Sequence, residues 1–280
     1  MPEINLVDPA LKNYYDNSEI SIQVSLDGFS FCINSDHDKQ IRAFRHYRFT
    51  NTILQEDILN HTEEILHKDE LLRLPFKKVR VMLLNRKSTI VPENFVVDAK
   101  LNQILEFNQP IDELDEVHHN PLPASGAKIV FTVPTYFAGL MAERFKTVRF
   151  YNHATPLLAS CIKDTAHPTG IYIQLNTGFF DLALIKDNKL KLYNTFVYVD
   201  STDLLYFILF ACKQLAFDLK GTPAFILGEQ AGNQKLLGGI KSYISSLNPV
   251  SLSDRNILSD DLRSLDQIRF YSLLNLLVCE

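Results

Sequence analysis

Gly170-Ile-Tyr-Ile-Gln-Leu-Asn-Thr-Gly-Phe-Phe-Asp-Leu-Ala-Leu-Ile185 is the stretch on which the reading of the fold turns. Ile171–Leu175 and Phe179–Ile185 are short apolar runs, and Asn176-Thr177-Gly178 between them has the residues of a tight turn. Asp187-Asn188 makes a second turn and Lys189–Val199 a longer strand. Asp200 or Ser201 is placed to cap a helix from Thr202 to about Phe217, which is apolar nearly all round. Ala224–Leu227 then reads as a strand and Asn233–Ser245 as a helix. The order is three strands, a helix, a strand and a helix.

The first half repeats that order. Ile20, Ile22, Val24 and Leu26 fall on one face, Asp27-Gly28 follows, and Phe29, Phe31 and Ile33 resume the alternation. Asp-Gly between two alternating runs predicts a type I′ hairpin, because that turn needs φ > 0 at both central residues. Ile41–Phe49 is a third strand, Thr50 or Asn51 caps a helix from about Ile53 to His67, and Val79–Leu84 is a buried strand. Pro92 opens a short helix near Asn94–Ala99. The two copies share order but little residue identity. Between them lie an acidic, irregular segment (Leu101–His119) and a loop, Pro121–Gly126. The linking elements are a strand (Lys128–Val133), a helix (Thr135–Phe145), a strand (Val148–Tyr151) and a helix (His153–Lys163). A terminal helix is expected over Asp261–Val278. The expected architecture is α/β: an N-terminal arm at 1–19, a first lobe at 20–126 with the acidic insertion, and a second lobe at 127–280 that includes the linking elements.

Bulk properties narrow the function classes. Of 280 residues, 46% are hydrophobic and 22% charged, the balance of a globular chain with a sizeable core. A net charge of −5 argues against non-specific attraction to nucleic acid or anionic membrane. Met1-Pro-Glu-Ile-Asn5 lacks the basic start and apolar core of a signal peptide, and no apolar run approaches the roughly 20 residues of a membrane span. A cytoplasmic location is the expectation. Cys32, Cys161, Cys212 and Cys279 contain no close pair, so neither a zinc ribbon nor a redox motif is supported, and each reads as a small buried hydrophobe.

A duplicated β-β-β-α-β-α unit is the ribonuclease H-like plan of the actin, Hsp70 and sugar-kinase superfamily, and residues 20–280 resemble it. Gly170–Ile185 is similar to the second phosphate loop of bacterial actin-like proteins such as the FtsA and PilM types. Phe131-Thr-Val-Pro-Thr-Tyr136 is similar to their middle segment, and Phe225-Ile-Leu-Gly-Glu-Gln-Ala231 falls where an adenosine-binding Gly-Gly turn belongs. The Asp27–Phe31 hairpin and Leu84–Pro92 most resemble an uncharacterised Bacteroidetes family of actin-like fold and unknown function. The resemblance assigns Asp27, Gly28, Asn176, Thr177, Gly178, Asp181 and Gly228 to the nucleotide loops.

Those loops are degenerate. Phosphate loops wrap backbone N–H groups around the ligand, which takes several glycines. Here Asp27-Gly28 is too tight to cradle a phosphate, Gln174 stands where the family has an Asp, and Asn176-Thr177-Gly178 replaces a glycine run. Glu229 and Gln230 follow Gly228, and a glutamate suits an anionic ligand poorly. The expectation is a non-catalytic pseudo-ATPase: a scaffold or adaptor with a protein partner or self-association and no cofactor. An alternative is a nucleotide switch or ATPase with an altered pocket. There Asp27 assists magnesium, Asn176 and Thr177 donate to ATP phosphates, and Asp181 orients the loop.

Other motifs weigh less. Gly232 to Gly239 followed by Ile240-Lys241-Ser242 fails as a P-loop, because lysine must directly follow the second glycine; Gly238-Gly239 reads instead as a helix-packing or kink site. His118-His119 beside Asp112, Glu113, Asp115 and Glu116 reads as a solvated loop, since adjacent side chains rarely converge on one ion. His153 opens a helix and is expected to satisfy its backbone. Arg42, Phe44, His46 and Arg48 share one strand face, a pattern that suits single-stranded nucleic acid or a guarded solvent-facing strand. Leu262, Leu265 and Ile268 form a stripe for a partner. No nucleophile motif and no carboxylate pair with acid–base spacing occurs.

Overall fold

The computed structural model describes residues 1–49, 55–252 and 257–279. In chain order the first lobe begins with β1 (Ile4–Val7), β2 (Ser18–Val24), β3 (Gly28–Ser35) and β4 (Ile41–Arg48). It continues with α1 (Gln55–Lys68) and β5 (Phe76–Leu83). Next come β6 (Ser88–Pro92), α2 (Leu101–Glu106), β7 (Asp115–Leu122), β8 (Ala127–Pro134), α3 (Thr135–Arg144), β9 (Val148–Asn152) and α4 (Ala154–Lys163). The second lobe has β10 (Gly170–Asn176), β11 (Phe179–Lys186), β12 (Lys189–Val197), α5 (Ser201–Gln214), β13 (Ala224–Leu227), α6 (Gln234–Lys241) and β14 (Leu247–Pro249). A short helix, α7 (Tyr271–Asn275), follows. The expected caps Thr50 and Asn51, and the start of the first helix at Ile53, lie outside the described residues.

The duplication is visible in the sheets. One runs β1-β4-β3-β2-β5-β9 and the other β12-β11-β10-β13-β14. Apart from β1, each has three antiparallel strands in the order third, second, first, then two parallel strands. The strands next to the centre are buried on both faces, as in β3 and β10. One hydrophobic core joins the first sheet, α4 and α7 to Tyr172, Ala183, Ile185, Phe225 and Leu227 of the second sheet, so the lobes share it. A second core lies between the second sheet and helices α5 and α6. Asp200 caps α5 by accepting from Thr202 N at 2.7 Å and Asp203 N, as its position in the sequence predicts.

Several expectations are corrected. The first hairpin turns at Leu26-Asp27, with Ser25 N donating to Gly28 O at 3.0 Å, and Gly28 does not have positive φ. Glycine is required there for another reason: a Cβ would sit 2.4 Å from Tyr47 O on β4. Asp187 and Asn188, by contrast, both take positive φ (54° and 55°), as a type I′ turn demands. The N-terminal arm contains an edge strand, β1, whose Ile4 and Leu6 pack on the core while its backbone pairs with β4. The acidic insertion builds a small third sheet, β6-β8-β7, so His118 and His119 lie on a strand rather than in a loop. His118 packs against the rings of Phe131 and Phe150. The predicted helix at Asn94–Ala99 is two short 3₁₀ turns, and the helix proper starts at Leu101. Strand β9, grouped with the second lobe in the sequence, hydrogen-bonds β5 in the first sheet.

The terminal helix is also broken. Asp266 Oδ1 accepts from the backbone N–H of both Ile268 and Arg269 at 3.1 Å, a local bond that competes with helix continuation. Leu262 and Leu265 are buried and Ile268 is partly buried, so no exposed stripe exists there. Of the four residues on the Arg42 strand face, Arg48 alone is exposed, beside Glu3, so the strand offers one basic side chain rather than a basic face. Arg42 is buried between Asp8 and Asp38 and stacks on Tyr14 at 4.4 Å, Phe44 is core, and His46 is buried. Neither a nucleic-acid surface nor a solvent-facing strand describes it, and β1 covers its edge.

Candidate functional site

Three turns converge where the lobes meet: Ser25–Gly28 between β2 and β3, Asn176–Phe179 between β10 and β11, and Gly228–Gln230 after β13. The chain itself occupies the space between them. Arg269, delivered by the Asp266 turn, donates to Glu229 Oε1 at 3.2 Å and to His46 Nε2 at 3.0 Å, and lies 4.9 Å from the centroid of the Phe270 ring. Since arginine only donates, His46 Nε2 accepts, its proton is on Nδ1, and that N–H donates to Ser30 Oγ at 2.8 Å. Burial, with Arg269 beside it, lowers the His46 pKa to about 4, so the ring is neutral. Burial and the neighbouring Asp27 carboxyl raise the Glu229 pKa to about 7. Asp27 in the first lobe and Glu229 in the second thus face each other, with one arginine to offset them.

The polar groups expected at a nucleotide are engaged elsewhere. Gln174 is buried and accepts from Ser272 Oγ at 3.0 Å. Asn176 donates to Asp181 at 3.4 Å, and its carbonyl accepts from Tyr198 at 2.7 Å. Thr177 Oγ1 accepts from Gln230 Nε2 at 3.1 Å. Gly228 N donates to Ile268 O at 3.0 Å, and a Cβ on Gly228 would meet Leu175 O at 2.4 Å. That glycine, at φ 97°, serves the contact between β13 and β10. Of the three loop glycines, Gly178, at φ 78° with nothing near its missing Cβ, is the one that opens toward space. The remaining hollow among Gln23, Ser30, His46, Gln174 and Arg269 is about 20 Å³, room for roughly one water. Ligand pockets run to hundreds of cubic ångströms, so a nucleotide does not fit this hollow.

Buried Asp181 is the hub of a second cluster. It accepts from His153 Nε2 at 2.9 Å, Tyr193 OH at 2.9 Å, Thr195 Oγ1 at 2.6 Å and Asn176. His153 therefore ties α4 to β11 rather than capping its own helix, and its Nδ1 has no hydrogen-bond partner among the described residues. No group of three metal-ligating side chains occurs among the described residues. Ser25, Leu26, Thr177 and Gly178 of the converging turns also line a larger interlobe cleft of about 820 Å³. Phe179, Tyr193, Thr195 and Val197 line one side of it, and β6 with Arg86 lines another. A third hollow of about 300 Å³ lies beside Gly228, Gly232 and Lys241 and shares Gly228, Glu229 and Arg269 with the first.

The sequence matches the family described as "Protein of unknown function (DUF3822)" over residues 12–247. The chain belongs to this family. Among solved structures it is similar to a Bacteroides thetaiotaomicron protein with actin-like ATPase fold and unknown function. The two share 20% identity over 97% of this chain and 99% of that one, with a TM-score of 0.82. It is also similar to the PilM-PilN type IV pilus biogenesis complex: 11% identity, 93% and 97% coverage, TM-score 0.60. A third is the ethanolamine utilization protein EutJ from Carboxydothermus hydrogenoformans, with 8% identity, 94% and 90% coverage and a TM-score of 0.51. At these identities the likeness shows the fold, which is actin-like and two-lobed. No curated protein matches the sequence.

In this DUF3822 chain, the structure brings Asp27, Asn176, Thr177, Gly178 and Gly228 to one interlobe junction, with Gly28 behind it against β4 and Asp181 beneath it. Arg269, His46 and Glu229 are the residues that sequence reading passed over as a group. They are spread over more than two hundred positions, and no spacing links them. One signal was available: Glu229 in a turn meant to face phosphate needs a counter-cation, and Arg269 interrupts the apolar end of the chain.

Proposed function

We propose that this chain is a pseudo-ATPase, an actin-like scaffold or adaptor in the cytoplasm that works without nucleotide. The observation that carries the reading is the Arg269 plug: a guanidinium bound to Glu229 and His46 stands where the three turns converge. About 20 Å³ is left. The loop side chains are already hydrogen-bonded to one another, so a ligand would have to break those bonds without glycine-rich backbone to replace them. Similarity to a pilus complex supports a protein partner by analogy of fold alone. Among the described residues no helix is long and apolar enough to cross a membrane.

The test is a thermal-shift titration with ATP and ADP plus magnesium into the millimolar range. A ligand that binds only the folded state raises the melting temperature by mass action. The expected result is no shift. A saturable shift that disappears in Thr177→Ala would overturn the reading. One observation favours the second reading, a nucleotide switch with an altered pocket: the hollow of about 300 Å³ beside Gly228 and Lys241. That reading requires Arg269 to leave, so it predicts that Arg269→Ala gains ADP binding.

A further inference from the structure

The 820 Å³ cleft is bounded by two sheet edges that carry no further strand among the described residues. β12 ends the second sheet and contributes Tyr193, Asn194, Thr195 and Val197; β6 ends the small sheet and contributes Ser88, Thr89 and Ile90. An open edge presents a row of backbone N–H and C=O groups, a template for another strand. The two ends of β12 differ. Lys189 and Lys191 are exposed on its first half, where charge discourages pairing, whereas the half at the cleft carries Asn194, Thr195 and Val197 with no charge. Val197 is half exposed. On the opposite wall the free edge is partly closed, because Gln109 Nε2 donates to Ser88 O at 2.9 Å. β12 is therefore the better template.

The charges at the cleft are unequal. Lys87 is held by Asp112 and Asp115. Arg86, also on the lining, is exposed and has no carboxylate partner among the described residues. Apolar side chains from Leu26, Ile58, Leu59, Ile90 and Phe137 complete the walls. This combination suits a strand whose alternate residues are apolar and which carries an acid at one end.

We propose that the cleft binds an extended, mainly apolar peptide segment of a partner protein, added as a strand to the free edge of β12, with a carboxylate of the peptide at Arg86. Backbone hydrogen bonds supply affinity in strand addition, and the pockets for alternate side chains supply selectivity. The proposal deepens the scaffold reading by naming the partner's chemistry. Nucleotide binding by the wild-type chain would sink the scaffold reading and leave this one standing.

The experiment uses the full chain and an array of fluorescein-labelled peptides of about six residues, the usual length of a strand. They alternate Val, Ile or Leu with Thr or Ser and end in Glu or, as a control, Lys. Glu-bearing members are expected to bind, and Arg86→Glu is expected to weaken them about tenfold while strengthening the Lys-bearing ones. Arg86 is exposed, so an unchanged melting temperature checks that the variant folds. N-methylation of alternate peptide amides is expected to abolish binding in one phase and spare it in the other, because only one set faces β12. Saturating peptide is expected to slow amide exchange in Tyr193–Val197. The proposal is overturned if no array member binds by millimolar concentration. It is equally overturned if the binders ignore both Arg86→Glu and N-methylation.

Discussion

Arg269→Met tests the plug as a matter of energy. The substitution keeps apolar contact with Phe270 but removes the donors to Glu229 and His46, which lie at 3.2 and 3.0 Å. Hydrogen bonds to charged groups contribute about 1.5–3 kcal/mol, and stranding a buried charge costs about 3–5 kcal/mol. Which figure applies depends on whether Glu229 is charged, and its pKa is raised to about 7. A raised carboxyl pKa means stability that is full below the unfolded value and lost as pH rises through the folded one. Arg269 lowers the folded pKa of Glu229, so without it the window of loss extends further upward, by about 1.4 kcal/mol per unit of rise. His46 works in the same sense. Its lowered pKa, about 4, makes the fold lose stability as pH falls from the ordinary histidine range, and removing Arg269 relieves part of that loss. The destabilisation should therefore be about 1–2 kcal/mol near pH 6 and about 3 kcal/mol near pH 8.5, read from urea unfolding at both pH values. Equal losses at the two pH values, or losses below about 0.5 kcal/mol at both, would refute the reasoning.

Two glycines should separate cleanly in thermal unfolding. Gly228→Ala, with φ 97° and Leu175 O at 2.4 Å from the new Cβ, is expected to cost about 3 kcal/mol, whereas Gly178→Ala, with open space, costs about 1 kcal/mol. Asp181→Asn leaves donors from His153, Tyr193 and Thr195 competing for one carbonyl oxygen, and should cost about 2–4 kcal/mol by chemical denaturation. Thr195→Val removes a single bond, and about 1 kcal/mol is expected in the same assay. All four cysteines are buried, and burial pushes the Cys32 thiol up to about 12. A thiol reagent should therefore label none of them rapidly in buffer and all of them in denaturant.

Much of the fold was legible because its cues are local. The Asp200 cap, the Asp187-Asn188 turn and the apolar runs of β10, β11 and β13 place those elements of the second lobe to within a residue or so, while its two helices end three or four residues sooner than expected and β14 went unread. The misses share a cause: contact with distant chain outweighed the local pattern. Ile4–Val7 is too short to announce a strand and becomes one by pairing with β4. Asp115–Leu122 looked solvated because of its acids, yet it aligns residue for residue with β8. The Arg42 strand looked like a charged face because Asp8 and Asp38, which neutralise it, come from other segments. At the junction, the loop residues were legible one by one through the resemblance. Their mutual hydrogen bonds and the arrival of Arg269 were not, because these depend on how two lobes and the chain's last turns meet.

The central claim is that the chain's own arginine holds the place of a nucleotide. A crystal structure grown with millimolar ADP and magnesium tests it most directly. The account predicts density for the Arg269 guanidinium between Glu229 and His46, and none for nucleotide among the three turns. Nucleotide seated against Asn176-Thr177-Gly178, with Arg269 swung away, would contradict it.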